Sequence, residues 1–378
     1  MKRTLMRLTK FLTIMLLIAL LLSGCFPSHQ QENSQELQTG RERVTQEEKD
    51  VEDQQTEKKM KLQLDIKEEL FHSVADWLDD ETVFYIVNNS TGSEVHTYNL
   101  YTGESALFYK SEAPIVQMKA NEDNSLFYVQ TSPSSYEAKL LVLNEKGDIQ
   151  FQTKLQSYEL SLTWNQVNPE QLFVTSFNDD WSYSTQLIDI QKKKIIENPV
   201  DIPFIQWIDN QQISYIKWNQ DEPSLTAPLY MYNLADHTET LISEQVVANT
   251  NYRNLLTTIE LVDENGTAFV RFYDRENQEQ LAEMPTRLVA LYSDWSIPYH
   301  DLDKIENLYY IFEVNEEKND FSLVSFSPKT NVKKVIFEAI ENFPLKISPS
   351  GEFALYGPRF EKIIDLRNHS LEELISLN

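Results

Sequence analysis

Short apolar runs alternate with polar turns along most of this chain, from about Leu64 to Asn378. The runs are rich in Val, Ile, Phe, Tyr and Leu, and no long pattern with the 3.6-residue period of a helix appears before the last few residues. Evenly spaced short strands separated by turns are typical of all-β folds. The pattern therefore predicts one all-β domain over residues 63–378.

One type of strand recurs along this domain. It is aromatic and aliphatic and follows a polar turn, and its copies are TVFYIV (82–87), SLFYVQ (125–130), QLFVTS (171–176), QISYIK (212–217), LLTTIE (255–260), NLYYIF (307–312) and EFALYG (352–357). Each copy is followed by a second strand, and most by a third. A short apolar piece precedes it, with a tryptophan in three cases, Trp77, Trp164 and Trp207. Four strands in about 45 residues are the period and content of a β-propeller blade.

Closure of these repeats into a ring is physically expected. A single four-stranded blade cannot bury both of its faces, whereas radial stacking buries each face against a neighbour and leaves only short edges. The seven copies favour seven blades, and six remain possible if one copy is a terminal extra. The sequence thus predicts a single β-propeller over residues 63–378.

The first residues have a different pattern. Four basic residues stand among the first ten, Lys2, Arg3, Arg7 and Lys10, and an almost wholly apolar run follows from Phe11 to Leu22. A basic segment followed by such a run is typical of a signal peptide, and the run is shorter than the roughly 20 residues of a membrane-spanning helix. Residues 1–24 are therefore predicted to be a signal peptide.

The apolar run ends in Leu22-Ser23-Gly24-Cys25, which resembles the lipobox of bacterial lipoproteins. The resemblance implies that the Cys25 thiol carries diacylglycerol and that cleavage makes Cys25 the first residue. Cys25 is the only cysteine, so no disulfide within the chain competes for its thiol. The alternative is an ordinary secretory signal peptide that contains a cysteine by chance. We expect a protein anchored by lipid, palmitate included, on the extracytoplasmic face of the cell membrane.

Residues 25–62 are predicted to be a flexible tether. The segment from Ser28 to Lys61 is rich in Gln, Glu and Lys and has no aromatic residue. Such a composition cannot bury enough apolar surface to offset the entropy lost on ordering. As a flexible coil its ends would lie roughly 30 Å apart. The alternative is a helix packed on the domain.

The charge of the chain limits its partners. The formal net charge is -26, and residues 1–24 contain four basic and no acidic side chains, so their removal makes the charge more negative. An acidic surface repels phosphate backbones, and no basic stripe is visible, so nucleic acid is excluded as a partner. Anionic headgroups are repelled in the same way, so the lipid on Cys25 must provide the anchoring to the membrane.

Motifs that carry chemistry are missing from the sequence. The six histidines show no metal-ligand spacing, and no calcium loop, nucleophile elbow, phosphate-binding loop or dinucleotide fingerprint occurs. The sequence therefore predicts no catalytic residue, metal or cofactor, and favours a non-enzymatic protein. The alternative is a propeller hydrolase, such as a glycosidase or a lactonase, that uses paired carboxylates or a metal in the central channel.

The candidate binding residues are aromatic residues in long turns. In a propeller, the turns between the second and third strands share one face with the connections between blades. These segments carry Tyr136, Trp181, Tyr183, Trp218, Trp295 and Tyr299. Exposed aromatic residues are favoured as interface anchors. We therefore expect a binding scaffold for another protein or a wall polymer of the cell envelope. The alternative is that these rings fold back into the core.

The lipobox, the acidic tether and the divergent propeller together resemble the YqgU-like lipoproteins of Gram-positive bacteria. The turn SPSGEFALYG (348–357) is also similar to the Ser-Pro-Asp-Gly-Lys turn of TolB-like propellers. The YqgU-like family is described as a six-bladed propeller of unknown function. The resemblance therefore implies a propeller fold and an anchored location, and it implies no activity.

Overall fold

The computed structural model describes residues 60–61, 63–219, 224–291, 294–315, 318 and 320–378. The predicted signal peptide, with Leu22, Ser23, Gly24 and the lipidated Cys25, lies outside the described residues, as does the predicted tether apart from residues 60 and 61. Those interpretations stay predictions. The described residues form strands and turns without an α-helix, and none of them forms an apolar helix long enough to cross a bilayer.

The first three blades are separate antiparallel sheets of four strands each, in sequence order. A short strand, β1 (Leu64–Ile66), precedes them. Their strands are β2 (Phe71–Trp77), β3 (Thr82–Asn89), β4 (Gly92–Asn99), β5 (Ser105–Ser111), β6 (Ile115–Ala120), β7 (Leu126–Ser134), β8 (Glu137–Asn144), β9 (Ile149–Gln156), β10 (Glu159–Trp164), β11 (Gln171–Phe177), β12 (Tyr183–Asp189) and β13 (Lys194–Glu197). Short turns join antiparallel neighbours, as this pairing requires.

The fourth and fifth blades share one seven-stranded sheet. Its strands are β14 (Gln206–Trp207), β15 (Gln212–Ile216), β16 (Ala227–Asn233), β17 (Glu239–Asn251), β18 (Leu255–Leu261), β19 (Thr267–Asp274) and β20 (Gln280–Arg287). The long strand β17 pairs with β16 through its first part and with β18 through its second, with a register shift near Val246. It is therefore the last strand of the fourth blade and the first strand of the fifth.

Two further four-stranded sheets complete the described ring. The chain continues through the hairpin β21 (Val289–Leu291) and β22 (Asp294–Ser296), the sixth blade β23 (His300–Asp303), β24 (Leu308–Asn315), β25 (Asp320–Ser327) and β26 (Val332–Ile340), the seventh blade β27 (Leu345–Ile347), β28 (Phe353–Tyr356), β29 (Lys362–Asp365) and β30 (Ser370–Glu373), and the final strand β31 (Ile375–Leu377). The sheets confirm the predicted all-β propeller and give it seven four-stranded blades in the described residues.

An apolar cluster fills each interface between neighbouring blades. Phe84 of the first blade and Phe127 of the second meet edge to face with centroids 4.9 Å apart, and Phe272 of the fifth stacks on Phe326 of the sixth at 5.1 Å. The cluster that contains Trp77 joins the first blade to the seventh. The core of the protein is therefore a closed series of wedges between sheets.

This packing explains why the second strand of each blade stood out in the sequence. Strands β3, β7, β11, β15, β18, β24 and β28 contain the seven recurring segments. A strand covered on both faces is a nearly continuous apolar run, and β11 is buried at six of its seven positions.

A parallel pair of terminal strands closes the ring. β1 pairs with β31 in the register Leu64↔Ile375, Asp65↔Ser376 and Ile66↔Leu377. The backbone N–H of Leu64 donates to the Leu374 carbonyl at 2.9 Å. No blade mixes strands from both ends of the described chain, so this pair, together with the cluster around Trp77, holds the first blade to the last.

Two aspartates also link the innermost strands of neighbouring blades. Asp76 in β2 accepts the N–H of Trp77 at 2.8 Å and that of Ala120, in the second blade, at 2.9 Å. Asp301 in β23 accepts the N–H of the next residue, and that of Ile347 in the seventh blade at 2.9 Å. These bonds satisfy backbone donors at places where adjacent blades do not pair as strands.

The terminal pair predicts a local stability cost. Ile375 is buried between the seventh and first blades, so Ile375→Ala should lower the free energy of unfolding by about 2–5 kcal/mol. The control is Leu371→Ala in β30, where the side chain is 38 % exposed, and it should cost about 1 kcal/mol or less. Urea unfolding monitored by circular dichroism measures both variants. Equal losses would contradict a role of the terminal pair in closure.

The aspartate links predict a second effect. Asp76 is buried, and Asp76→Ala leaves two backbone N–H groups without their acceptor, at a cost of about 1–3 kcal/mol for each unpaired group. Asp76→Asn keeps one acceptor oxygen and should lose less, whereas Asp80→Ala, at an exposed turn residue, should be neutral. The same unfolding measurement ranks the three variants, and a neutral Asp76→Ala would show that the link is dispensable.

Candidate functional site

The propeller has two faces with different turns. The turns between the second and third strands of each blade, together with the connections between blades, form what we call the upper face. The remaining turns form the lower face. The described chain begins on the lower face, where the N–H of Lys61 donates to the Leu100 carbonyl at 2.6 Å and its Nζ to the Thr102 carbonyl at 2.9 Å.

The inner strands surround a central cavity of about 240 Å³. Six blades contribute polar side chains to its wall from equivalent positions of their inner strands, namely Asp76, Lys119, Thr163, Gln206, Asp301 and Lys346. Negative and positive charges alternate around part of the ring, in the order Asp301 (sixth blade), Lys346 (seventh), Asp76 (first) and Lys119 (second). Thr163 and Gln206 make the opposite wall neutral.

The charged groups of the cavity influence one another. Burial alone would lower the pKa of Lys346, but the carboxylates of Asp301, Asp76 and Glu122 together raise it. Burial and the neighbouring Lys346 lower the pKa of Lys119, against the opposing effect of Asp76. Asp76 and Asp301 already accept two backbone N–H bonds each. The ring of charges is therefore balanced internally, and its two aspartates serve the links between blades.

Two contacts cross the lower end of this channel. Lys304 of the sixth blade forms an ion pair with Glu122 of the second at 3.0 Å. Gln166 of the third blade donates through Nε2 to the Asn251 carbonyl of the fifth, and its Oε1 is buried without a partner among the described residues. In the described part of the chain, no group of three or more His, Cys, Asp or Glu residues is placed to hold a metal ion.

Aromatic side chains gather on the upper face of the second, third and fourth blades. Together they form what we call the aromatic surface, which consists of Tyr136, Tyr158, Trp181, Tyr183, Phe204 and Trp218. Phe177 lies beneath it, with its ring 6.0 Å from the rings of Trp181 and Tyr183 and stacked on Phe204 at 5.3 Å. The Tyr136 hydroxyl donates to Asn178 Oδ1 at 2.6 Å, which joins the turns of two blades. Trp181 remains 66 % exposed.

Two of the predicted binding residues lie elsewhere. The expectation that Trp295 is presented on the rim is wrong: its side chain is 6 % exposed and packs in the cluster between the fifth and sixth blades. The hairpin of β21 and β22 folds back over that interface and places the indole against Gly266, where an added Cβ would be 3.2 Å from the ring. Tyr299 is exposed in the connection between the fifth and sixth blades, apart from the aromatic surface.

Sequence reasoning missed two members of the aromatic surface. Tyr158 is 64 % and Phe204 61 % exposed, and both stand in connections between blades rather than in long turns. The signal was available, because those connections belong to the same face as the turns. Tyr158 is held there by its N–H, which donates to the Phe177 carbonyl at 2.8 Å.

A groove of about 740 Å³ opens between the third and fourth blades beside the aromatic surface. We call it the blade 3–4 groove; its walls are residues 200–206, the end of β15 with Lys217 and Trp218, and Asn249 of β17. Tyr183 and Phe204 stand at its edge. Burial, and after it the nearby Asp201 carboxylate, raise the pKa of Tyr183. The groove shares Gln206 with the central cavity.

Comparison with known proteins finds a similar lipoprotein sequence and several similar propeller folds. The chain is 28% identical over 355 residues to the uncharacterized lipoprotein YqgU of Bacillus subtilis (strain 168), across 94% of this chain and 93% of that protein. The crystal structure of the uncharacterized protein lmo1340 from Listeria monocytogenes EGD-e superposes with a TM-score of 0.76 at 20% identity, over 83% of this chain and 97% of that one. The β-propeller domain of the Trilobed protease from Pyrococcus furiosus gives 0.55 at 13% identity, over 82% and 99%. Both structural likenesses concern the fold alone.

The family model of the YqgU-like 6-bladed beta propeller domain matches residues 99–357. That range begins at the end of β4 and finishes just after β28, so it contains five complete blades and parts of the first and seventh. The described residues form seven four-stranded blades, whereas the family is described as six-bladed, and the match covers the first and seventh blades only in part. The chain belongs to the family of YqgU-like β-propeller domains.

Proposed function

We propose that this protein is a lipoprotein held on the extracytoplasmic face of the cell membrane through a lipid on Cys25, and that its propeller is a non-enzymatic scaffold that binds a macromolecule of the cell envelope. The observation that carries the proposal is the aromatic surface. Contiguous exposed aromatic residues mark interaction sites, because water solvates such a patch poorly and rigid rings lose little entropy on binding.

The location on the membrane has independent support. The lipobox resemblance ends in the only cysteine of the chain, and the relative from Bacillus subtilis is named a lipoprotein. The first described residues lie on the lower face, where Lys61 bonds to Thr102, and the aromatic surface lies on the opposite face.

The non-enzymatic character is supported by the central cavity. A glycosidase needs two carboxylates that are free to act as acid and as base or nucleophile. Asp76 and Asp301 instead hold backbone amides of neighbouring blades, and Glu122 is paired with Lys304. These engagements favour a binding scaffold over a hydrolase that works in the channel.

Substitution of the cysteine tests the anchor. In Cys25→Ser the hydroxyl cannot replace the thiol as the acceptor of diacylglycerol, so labelled palmitate should not be incorporated and the protein should leave the membrane fraction. The wild-type chain is the control, measured by metabolic labelling and fractionation of the producing cells. Continued lipid incorporation, or an unlipidated wild type, would reject Cys25 as the attachment site.

Removal of exposed rings tests the scaffold. In a cross-linking pull-down from intact cells, Trp181→Ala combined with Trp218→Ala should reduce capture of the envelope partner by about 30-fold or more, since central aromatic anchors contribute about 2 kcal/mol or more. Ile305→Ala on the lower face removes an equally exposed side chain and should leave capture unchanged. Unfolding curves check that the variants fold. Undiminished capture by the double variant would reject the aromatic surface as the binding face.

A further inference from the structure

The blade 3–4 groove exists because the inner strand of the fourth blade is short. β14 has two residues, whereas β2, β6 and β10 have 7, 6 and 6. The residues before β14 lie over the third blade instead, where Thr185 Oγ1 donates to the Val200 carbonyl and Thr175 Oγ1 to the Pro203 carbonyl, each at 2.6 Å. The upper part of β15 therefore lacks an inner neighbour, and the space left by that strand is open.

Two exposed aromatic side chains line this groove. Phe204 is stacked on Phe177 with an interplanar angle of 25°, so one face of Phe204 is supported while 61 % of its side-chain surface stays open to solvent. Trp218 lines the same groove and is 45 % exposed. Two aromatic rings that line one groove offer flat apolar surfaces to a ligand that enters it.

Polar side chains also line this groove. The amides of Gln206 and Asn249 and the carboxylate of Asp201 supply hydrogen-bond donors and acceptors. Asn249 Nδ2 already donates to Ser214 Oγ at 3.1 Å, which leaves its carbonyl oxygen as an acceptor. A ligand in this groove thus meets amide and carboxylate groups as well as aromatic rings.

The positive charge in the groove is neutralised. Among the described residues of its lining, Lys217 is the only cation, and its Nζ lies 2.7 Å from Glu239 Oε2. The same ammonium is 5.0 Å from the centre of the Tyr230 ring, and the Tyr215 hydroxyl also donates to Glu239. These bonds from Lys217 and Tyr215 lower the pKa of Glu239. Asp201 then leaves the groove slightly acidic, in a chain of net charge -26, so anionic polymers are disfavoured.

We propose that the blade 3–4 groove binds a neutral glycan, with the rings of Phe204 and Trp218 against sugar faces and the side chains of Asp201, Gln206 and Asn249 bonded to hydroxyl or acetamido groups. This inference rests on the proposed binding function and names its ligand class. A pyranose combines apolar C–H faces with a polar rim, which matches a groove lined by aromatic rings together with amides and a carboxylate. The volume of about 740 Å³ lies within the range of small-molecule sites and accommodates a short oligosaccharide.

Titration with neutral trisaccharides tests the inference. Full-length lipoprotein in detergent is titrated with triacetylchitotriose and with maltotriose, and binding is followed by calorimetry and by tryptophan fluorescence. We expect saturable binding of at least one sugar and a loss of about tenfold or more in affinity in Trp218→Ala and in Phe204→Ala. Trp218→Phe keeps a ring and should retain most of the affinity. Val262→Ala, at an exposed residue in the fifth blade, should bind like wild type.

Each other result overturns a defined part of the inference. Absence of binding by both sugars at millimolar concentration rejects a neutral glycan as the ligand. Binding that is unchanged in Trp218→Ala and Phe204→Ala rejects this groove as the site. If the cross-linking experiment still captures an envelope partner through the aromatic surface while neither sugar binds, the scaffold function stands and the glycan inference fails. If capture and sugar binding are both absent, both proposals fail.

Discussion

Closure of the ring is the constraint on which the rest of this structure depends. Each blade is a sheet with two apolar faces. The seventh blade buries one face against the sixth blade, and it can bury the other only because it meets the first. The chain accomplishes this without a blade of mixed origin. Trp77 donates through Nε1 to the Lys346 carbonyl at 3.0 Å across the junction, and the parallel pair of β1 and β31 covers it. The two ends of the described domain are therefore coupled, and loss of either end exposes both faces of the junction.

The same closure brings polar side chains of the inner strands together. The inner strands of six blades each place a polar side chain on the wall of the central cavity, and Asp76, Lys119, Asp301 and Lys346 are the charged ones. Adjacent inner strands do not pair along their length, and aspartates take over part of the hydrogen bonding between them. Charge in the channel thus supports the architecture first, and this is why a set of acidic residues at the centre of a propeller need not be catalytic.

More of the fold than of the candidate site could be predicted from the sequence. A strand buried on both faces leaves a continuous apolar signature, so the second strand of every blade was visible, and with it the propeller. Inner strands leave a weaker signature, and the two-residue strand β14 leaves none, so the blade 3–4 groove could not be predicted. Trp295 and Trp181 look alike in sequence, each in a long connection on the upper face. Trp295 is buried and Trp181 is exposed because the hairpin of β21 and β22 turns Trp295 into the interface between the fifth and sixth blades. The fold of that hairpin depends on contacts with residues distant in the chain. Phe204 was overlooked because it stands in a connection between blades and not in a long turn.

The aromatic surface and the groove share one physical origin. In a regular blade the connection from the outer strand leads directly into a full inner strand, which fills the space above the channel. Here residues 198–205 bond to the third blade through Thr175 and Thr185, and that detour both lifts Phe204 to the surface and leaves the fourth blade incomplete. The detour also adds to the core, since Val200 and Ile205 are buried in the cluster between the third and fourth blades. Phe204 and the cleft beside it stay open to solvent. A bound glycan, as proposed above, would cover that ring and fill the cleft, and the net negative charge of the chain disfavours a ligand with a strong negative charge.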